Sequence, residues 1–246
     1  MTKKILLVLL IIFISISASL VFGKSNRKSY LPVDNVQIEK VDYVKEKIVY
    51  NVQMGFITLG SSIFKFEGSS PLNGEEMLLM TFETRLARFF DLEKIYCNPV
   101  SFLPVKIERK ISHWPLDEKI TEEYDQKNFI VKINKVAGDK KEERVIKKDN
   151  VINNAILLPY FVRSLGEVKP DFNLVARFPL QDFVITLDGK EEVSVPAGKF
   201  MAYHFVSKPK RFEIWLSADK DRIPLKIKGA NGLGYTLAMK ERVLGE

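Results

Sequence analysis

Lys47-Ile48-Val49-Tyr50-Asn51-Val52 sets the period that decides the fold, because Ile48, Tyr50 and Val52 alternate with Lys47, Val49 and Asn51. A two-residue rhythm places alternate side chains on opposite faces of an extended chain, the mark of a β-strand with one buried face. The rhythm continues outward through Ile63, Phe64 and Phe66 and then through Met77, Leu79, Thr81 and Glu83. Met54-Gly55, Leu59-Gly60 and Pro71-Leu72-Asn73-Gly74 supply the residues that tight antiparallel connections need, so hairpins are expected there. Strand-like segments follow at 93–96, 105–112, 119–124 and 129–136, with Asp125-Gln126-Lys127-Asn128 as a turn. Others follow Pro170, at 183–187, 191–195, 200–206, 212–216, 224–228 and 235–240. Residues 132–148 carry seven bases and three acids around Gly138, which reads as an exposed hairpin tip.

One segment departs from this rhythm. In residues 149–166 the apolar positions Val151, Ile152, Ala155, Ile156, Leu158, Phe161, Val162 and Leu165 recur every three or four residues, which predicts a helix. Asp149 is a candidate cap, Arg163 sits near the C-terminal end and Gly166 suits the stop. Pro159 lies inside the pattern and predicts a kink or two short helices. The fold class read from the sequence is therefore mainly β: a curved antiparallel sheet forming a closed or half-open barrel, with one kinked covering helix.

The N-terminus has a different character. Lys3-Lys4 precedes an apolar run over residues 5–22, and Gly23 is followed by the polar Lys24-Ser25-Asn26-Arg27-Lys28. This is a secretory leader pattern, with cleavage expected near Gly23; a largely apolar stretch of eighteen residues also allows an uncleaved anchor. The division expected is a leader at 1–23, a tether or edge segment at 24–44 and a single β-rich domain at 45–246. The domain is then exported and periplasmic, or held outside the cytoplasm by its N-terminal helix. Removing the leader takes away two lysines and no acid, leaving 36 basic and 31 acidic residues, formally +5.

At 246 residues, with 46% hydrophobic and 28% charged content, the chain can bury a full core. Cys97 stands alone and the histidines are two, His113 and His204, which excludes an intramolecular disulfide, a multi-cysteine zinc site and a histidine-rich metal site. No cofactor or metal is expected. The Gly-x-Ser-x-Gly elbow, the phosphate loop and His-Glu-x-x-His are all missing, and Gly229, Gly232 and Gly234 read as a hairpin rather than a dinucleotide loop. An exported chain without a nucleic-acid-binding motif is not expected to bind nucleic acid.

A series of landmarks completes the reading. Leu103-Pro104 precedes Val105-Lys106-Ile107-Glu108-Arg109, and the helix ends Tyr160-Phe161-Val162-Arg163. Val195-Pro196-Ala197-Gly198-Lys199-Phe200 follows, then Ile214-Trp215-Leu216-Ser217-Ala218-Asp219 ahead of Arg222-Ile223-Pro224. In this order, over residues 45–241, they resemble the exported bacterial family catalogued as domain of unknown function 3108. The usual Gly-Glu opening of that family is Lys45-Glu46 here. The resemblance implies a strongly curved antiparallel sheet with the helix on one side, and no assigned activity. By analogy of fold it also points toward envelope carriers that hold acyl chains in a half barrel.

Pro104, Pro196, Gly198, Asp219 and Pro224 read as structural positions of these landmarks, with Gly198 and the 217–221 run in turns. Arg163, Trp215 and Arg222 are the candidate ligand-binding residues: a helix end and a strand entrance can face a barrel mouth, and an inward tryptophan can serve as a platform. The arginines also suit ion pairs with Glu213 or Asp219. No catalytic residue is assigned. The expected function is non-enzymatic binding of a lipophilic or amphipathic molecule in a barrel cavity, with membrane contact through the leader alone, if it is retained. A protein-interaction or scaffold module in envelope assembly is the alternative. An enzyme acting on envelope polysaccharide or peptide would require a cleft with paired, perturbed carboxylates.

Overall fold

The computed structural model of the chain describes residues 45–113, 115–165, 168–229 and 234–245; the leader and tether expected at 1–44 lie outside the described residues. The chain forms β1 (Lys47–Met54), β2 (Ile57–Leu72), β3 (Glu75–Leu86), β4 (Phe89–Cys97), β5 (Pro104–His113), β6 (Leu116–Asp125), β7 (Ile130–Ala137) and β8 (Lys140–Lys147). After α1 (Leu158–Ser164) come β9 (Asn173–Arg177), β10 (Asp182–Val195), β11 (Gly198–Lys208), β12 (Phe212–Ser217), β13 (Pro224–Gly229) and β14 (Tyr235–Val243). All join one 14-stranded sheet in the order β8-β7-β6-β5-β4-β3-β2-β1-β14-β13-β12-β11-β10-β9. Every pairing is antiparallel, and the first and last strands pair in the middle of the sheet. The end strands β8 and β9 do not pair, so the mainly β, barrel-like sheet is open along one seam.

Alternation and register assign the faces. Leu187, Phe205, Ile214, Ile227, Leu237 and Val52 stand opposite one another strand by strand, so they share one side of the sheet. Tyr50 and Ile48 share that side with Val52, and so do Phe64 and Phe82 through the β1–β2–β3 register. This side is concave, because α1 packs against it: the Tyr160 ring lies 5.5 Å from Phe64, which lies 4.4 Å from Phe82. All seven residues of α1 are buried, so the helix sits within the curve of the sheet. Phe64, Phe66, Phe183 and Phe205 are buried and Phe200 is half-buried.

Several details differ from the sequence reading. The helix is confined to Leu158–Ser164, and Pro159 falls in its first turn, where its missing N–H takes nothing from the ladder; the expected kink is therefore absent. Asp149 does not cap it. Asn154 Oδ1 instead accepts the amides of Ile156 (2.7 Å) and Leu157 (3.1 Å) and organises the turn ahead of it. Gly60 is not in a turn but inside β2, opposite Leu86, where a Cβ would meet the Arg85 carbonyl oxygen at 2.0 Å. The glycine permits a close approach of two backbones. The segments expected at 183–187 and 191–195 are one strand, β10, interrupted by a bulge between Leu187 and Gly189. The basic tip at Gly138 is a hairpin as expected, and it carries an additional exposed strand, β8, along the sheet edge. Asn73 (φ 54°) and Gly74 (φ 85°) form the expected β2–β3 turn.

The seam is bridged by irregular chain. Gln126 in the β6–β7 turn donates to the carbonyls of Pro104 (2.9 Å) and Ile152 (3.0 Å) and accepts from the Ile152 amide (2.9 Å). Asn153 exchanges bonds with Arg177 at the end of β9, and Lys148 pairs with Asp182 at 2.9 Å. Side chains and single backbone bonds therefore occupy the place where a fully closed barrel would have a ladder.

Candidate functional site

Besides the Glu118–Lys135 ion pair, two larger charged groups lie on the concave face. The first lies at the C-terminal end of α1. Glu46, immediately before β1, is buried and accepts both terminal nitrogens of Arg163, Nη1 at 2.5 Å and Nη2 at 2.9 Å. Arg242 of β14 donates through Nε to the same carboxylate (2.7 Å) and through Nη1 to Asp221 (2.7 Å), while Arg163 Nε donates to the Asp221 carbonyl (2.6 Å). The hydrogen bond from Arg242 holds the Asp221 carboxyl below its usual range. Arg222 donates to the Leu165 carbonyl just beyond the helix, satisfying a group that the helix leaves open. This network joins β1, β14, the β12–β13 loop and α1.

Arg163 and Arg222 therefore come together, and their partners are Glu46 and the end of the helix rather than Glu213 or Asp219. Trp215 is elsewhere. It stands in register with His204 and Lys226, on the convex side. Its ring stacks on His204 (4.2 Å, 8°), Lys226 Nζ lies 4.7 Å above it, and Nε1 donates to Glu191 at 2.5 Å. The expected platform is thus a covered convex-face tryptophan, separated by the sheet from both arginines. The other landmarks hold structure. Pro104 opens β5, and Pro196 lies in the β10–β11 turn before Gly198, at φ 137°. The Pro224 carbonyl accepts the buried Tyr50 hydroxyl at 2.7 Å. Asp219 Oδ1 accepts the amides of Asp221 (2.9 Å) and Arg222 (3.1 Å), the side-chain-to-backbone bonding expected of that loop.

The second group is the candidate site. Asp91 and Glu93 of β4 share the concave parity of Ile95 and Cys97, and Arg109 of β5 lies opposite Glu93. Arg109 is held by Asp91 through Nε (2.9 Å) and Nη2 (2.5 Å), and its Nε lies 3.3 Å from Glu93. Glu122 of β6 accepts a hydrogen bond from Tyr124. Tyr235 of β14 reaches the same region although three strands separate β14 from β4 in the sheet, because the sheet curls.

Three carboxyls thus surround one guanidinium in a poorly solvated place. Burial pushes Glu93 up to about 7; Arg109 opposes this, and the charges of Asp91 and Glu122 reinforce it. Burial likewise raises Glu122, against the pull of Tyr124 and Arg109. The Tyr124 hydroxyl is raised by burial and then by Glu122, and that of Tyr235 by burial and then by Glu93. Burial works against the charge on Arg109, but Glu93 and Asp91 more than offset it and hold it protonated. Near neutral pH the group therefore holds a labile proton and offers both donors and acceptors toward the interior. Among the described residues no set of three or more His, Cys, Asp or Glu side chains could hold a metal ion.

The sequence reading did not single out Asp91, Glu93 or Glu122. A signal was present: Asp91 and Glu93 fall on the parity of Ile95 and Cys97, an acidic pair on the face that should be apolar. Glu46 carried a comparable signal as the acid of the first-strand opening.

The fold defines a barrel-like protein with an open seam and a mainly apolar interior, into which the two charged groups, the Glu118–Lys135 ion pair and the Ser62–Thr84 hydrogen bond are built. Residues 49–240 match the family described as "Protein of unknown function (DUF3108)", and the chain belongs to that family. Among solved structures, the chain is similar to a "Beta-barrel-like Protein of Domain of Unknown Function DUF1849 from Brucella abortus". The TM-score is 0.53 at 7% identity, covering 85% of this chain and 100% of the other, a likeness of fold alone. No curated protein matches.

Proposed function

We propose that this chain is exported to the periplasm and binds a lipophilic or amphipathic molecule inside its curved sheet without catalysing a reaction on it. What supports the reading is the open seam between β8 and β9, together with a largely apolar concave face on which buried carboxyls crowd one arginine. An apolar lining with a few convergent polar groups is the usual chemistry of a small-molecule site. The Glu93–Glu122–Arg109 group suits the polar end of such a molecule, and its apolar body would take room among Phe64, Phe82 and Phe205, which pack into one core with Tyr160 of α1. The path of entry is the seam, where few hydrogen bonds have to open. Edge-to-edge recruitment of a protein strand is disfavoured, because β8 presents Lys140, Lys141, Glu142, Glu143, Arg144 and Lys147 along its exposed length.

Native mass spectrometry of the protein purified from the exported fraction of its host, with lipid analysis of an organic extract, tests this. The expected result is a stoichiometric adduct that disappears on denaturation. An apo mass that stays apo when envelope lipids are offered refutes it, and a specific protein partner trapped by cross-linking in cells would then favour the scaffold reading.

A further inference from the structure

The β1–β2 turn contains Gly55 and Phe56, with Met54 opposite Ile57. Two-residue hairpin turns are ordinarily built from Asn, Asp and Gly. Here Phe56 is fully exposed at the tip and Ile57 beside it is largely exposed. The tip projects, because β2 is paired with β3 only from Gly60 onward; residues 57–59 extend beyond the β3–β4 turn by roughly 10 Å, at about 3.3 Å per residue. A hydrophobic side chain displayed on a projecting turn contributes nothing to the core.

Two other turns of this rim are basic. Register through β14, β13 and β12 places Met54 level with Tyr235, and Gly229 level with Phe212, so the β11–β12 turn lies on the same rim. That turn reads Lys208-Pro209-Lys210-Arg211, and the turn on the other side reads Arg85-Leu86-Ala87-Arg88. Together they hold five bases and no acid, with Arg85 paired to Glu83 of β3 and Lys210 to Glu213 of β12. Arg85, Arg88, Phe89, Phe90, Ser112 and one acid, Asp117, also line an open groove of about 480 Å³ at this rim, with the Arg85 guanidinium 4.6 Å from the Phe90 ring centre.

We propose that this rim docks on a membrane surface with anionic headgroups. Phe56 and Ile57 enter the interface, and the bases of the other two turns face the headgroups. Apolar side chains beside basic ones are the combination that interfacial binding uses, each basic residue strengthening association by roughly five-fold. The proposal stands whether or not the interior holds a cargo, and it places membrane contact at a site separate from the N-terminal leader.

The test uses the full chain carrying Phe56→Trp, with the unsubstituted chain as background, and vesicles containing brominated phosphatidylcholine with or without phosphatidylglycerol. The expected result is quenching of the new indole on anionic vesicles, which falls on neutral vesicles and in high salt. Arg85→Gln with Arg88→Gln should weaken association on anionic vesicles by roughly ten-fold or more at low salt. If the leader alone binds vesicles, the Phe56→Trp indole stays unquenched, and that result overturns the proposal. Equal quenching on neutral vesicles overturns the role given to the bases. A protein trapped by a cross-linker at position 56, without quenching, overturns the choice of a lipid surface.

Discussion

Replacing Glu93 by glutamine removes a charge that the fold holds at a disadvantage, and its effect on stability can be worked out in sign and size. Burial carries the Glu93 equilibrium from a reference of 4.5 to about 7. At about 1.4 kcal/mol per decade this corresponds to roughly 3 kcal/mol. Below the lower value both folded and unfolded chains carry the proton, and the penalty is absent. Between the two values the native protein retains a proton that the unfolded chain has released, so stability falls as pH rises through this window and levels off above it. Glutamine cannot ionise, and its carbonyl can still face Arg109, whose Nε lies 3.3 Å from the Glu93 carboxylate. Glu93→Gln should therefore match the parent near pH 4.5 within about 1 kcal/mol and exceed it at pH 8 by up to roughly 3 kcal/mol.

Urea unfolding followed by circular dichroism at intervals from pH 4.5 to 8 measures the difference. Groups remote from position 93 contribute equally to both proteins and cancel. Glu122 is also raised by burial, so the variant retains part of the parent's pH dependence. A difference curve that is flat with pH, or a variant less stable than the parent at pH 8, would refute the reasoning.

Two further outcomes are expected. Arg163→Met leaves the buried Glu46 carboxylate with Arg242 as its charged partner in this network and should cost roughly 3–5 kcal/mol, most of it recovered in the double variant with Glu46→Gln; a single-variant loss under about 1 kcal/mol in urea unfolding contradicts the network. Cys97 is fully buried on β4 and burial pushes its thiol up to about 12, so a thiol reagent at pH 8 should modify the native protein no faster than it opens; complete labelling within the mixing time contradicts the packing.

The strand content was legible because the two-residue period is written locally, residue against neighbouring residue. Ile48, Tyr50 and Val52 announce a buried face without reference to any distant part of the chain, and Asn73-Gly74 announces its turn in the same way. The landmarks Pro104, Gly198, Asp219 and Pro224 likewise marked turns and strand entrances. The family followed from their order.

What remained hidden depends on which distant residues meet. The helical period over 149–166 described apolar spacing, but Pro159 admits a helix only when it lies in the first turn, and Asn154 and the packing within the sheet decide where that turn falls. Arg163 and Trp215 could both have faced a barrel mouth. The face of Trp215 was settled by register accumulated across the sheet, in which a shift of one residue transfers a side chain to the other side, and the direction of Arg163 by the docking of α1 beside Glu46. The sequence by itself determined most of the strands, the turns, the family and the exclusion of an intramolecular disulfide and of cysteine- or histidine-rich metal sites, because these rest on local spacing and composition. The tertiary structure alone decided that the sheet stays open, that Glu46 neutralises Arg163, and that Asp91, Glu93 and Glu122 surround one arginine. Those outcomes arise from curvature and desolvation, which exist only once the chain has closed on itself.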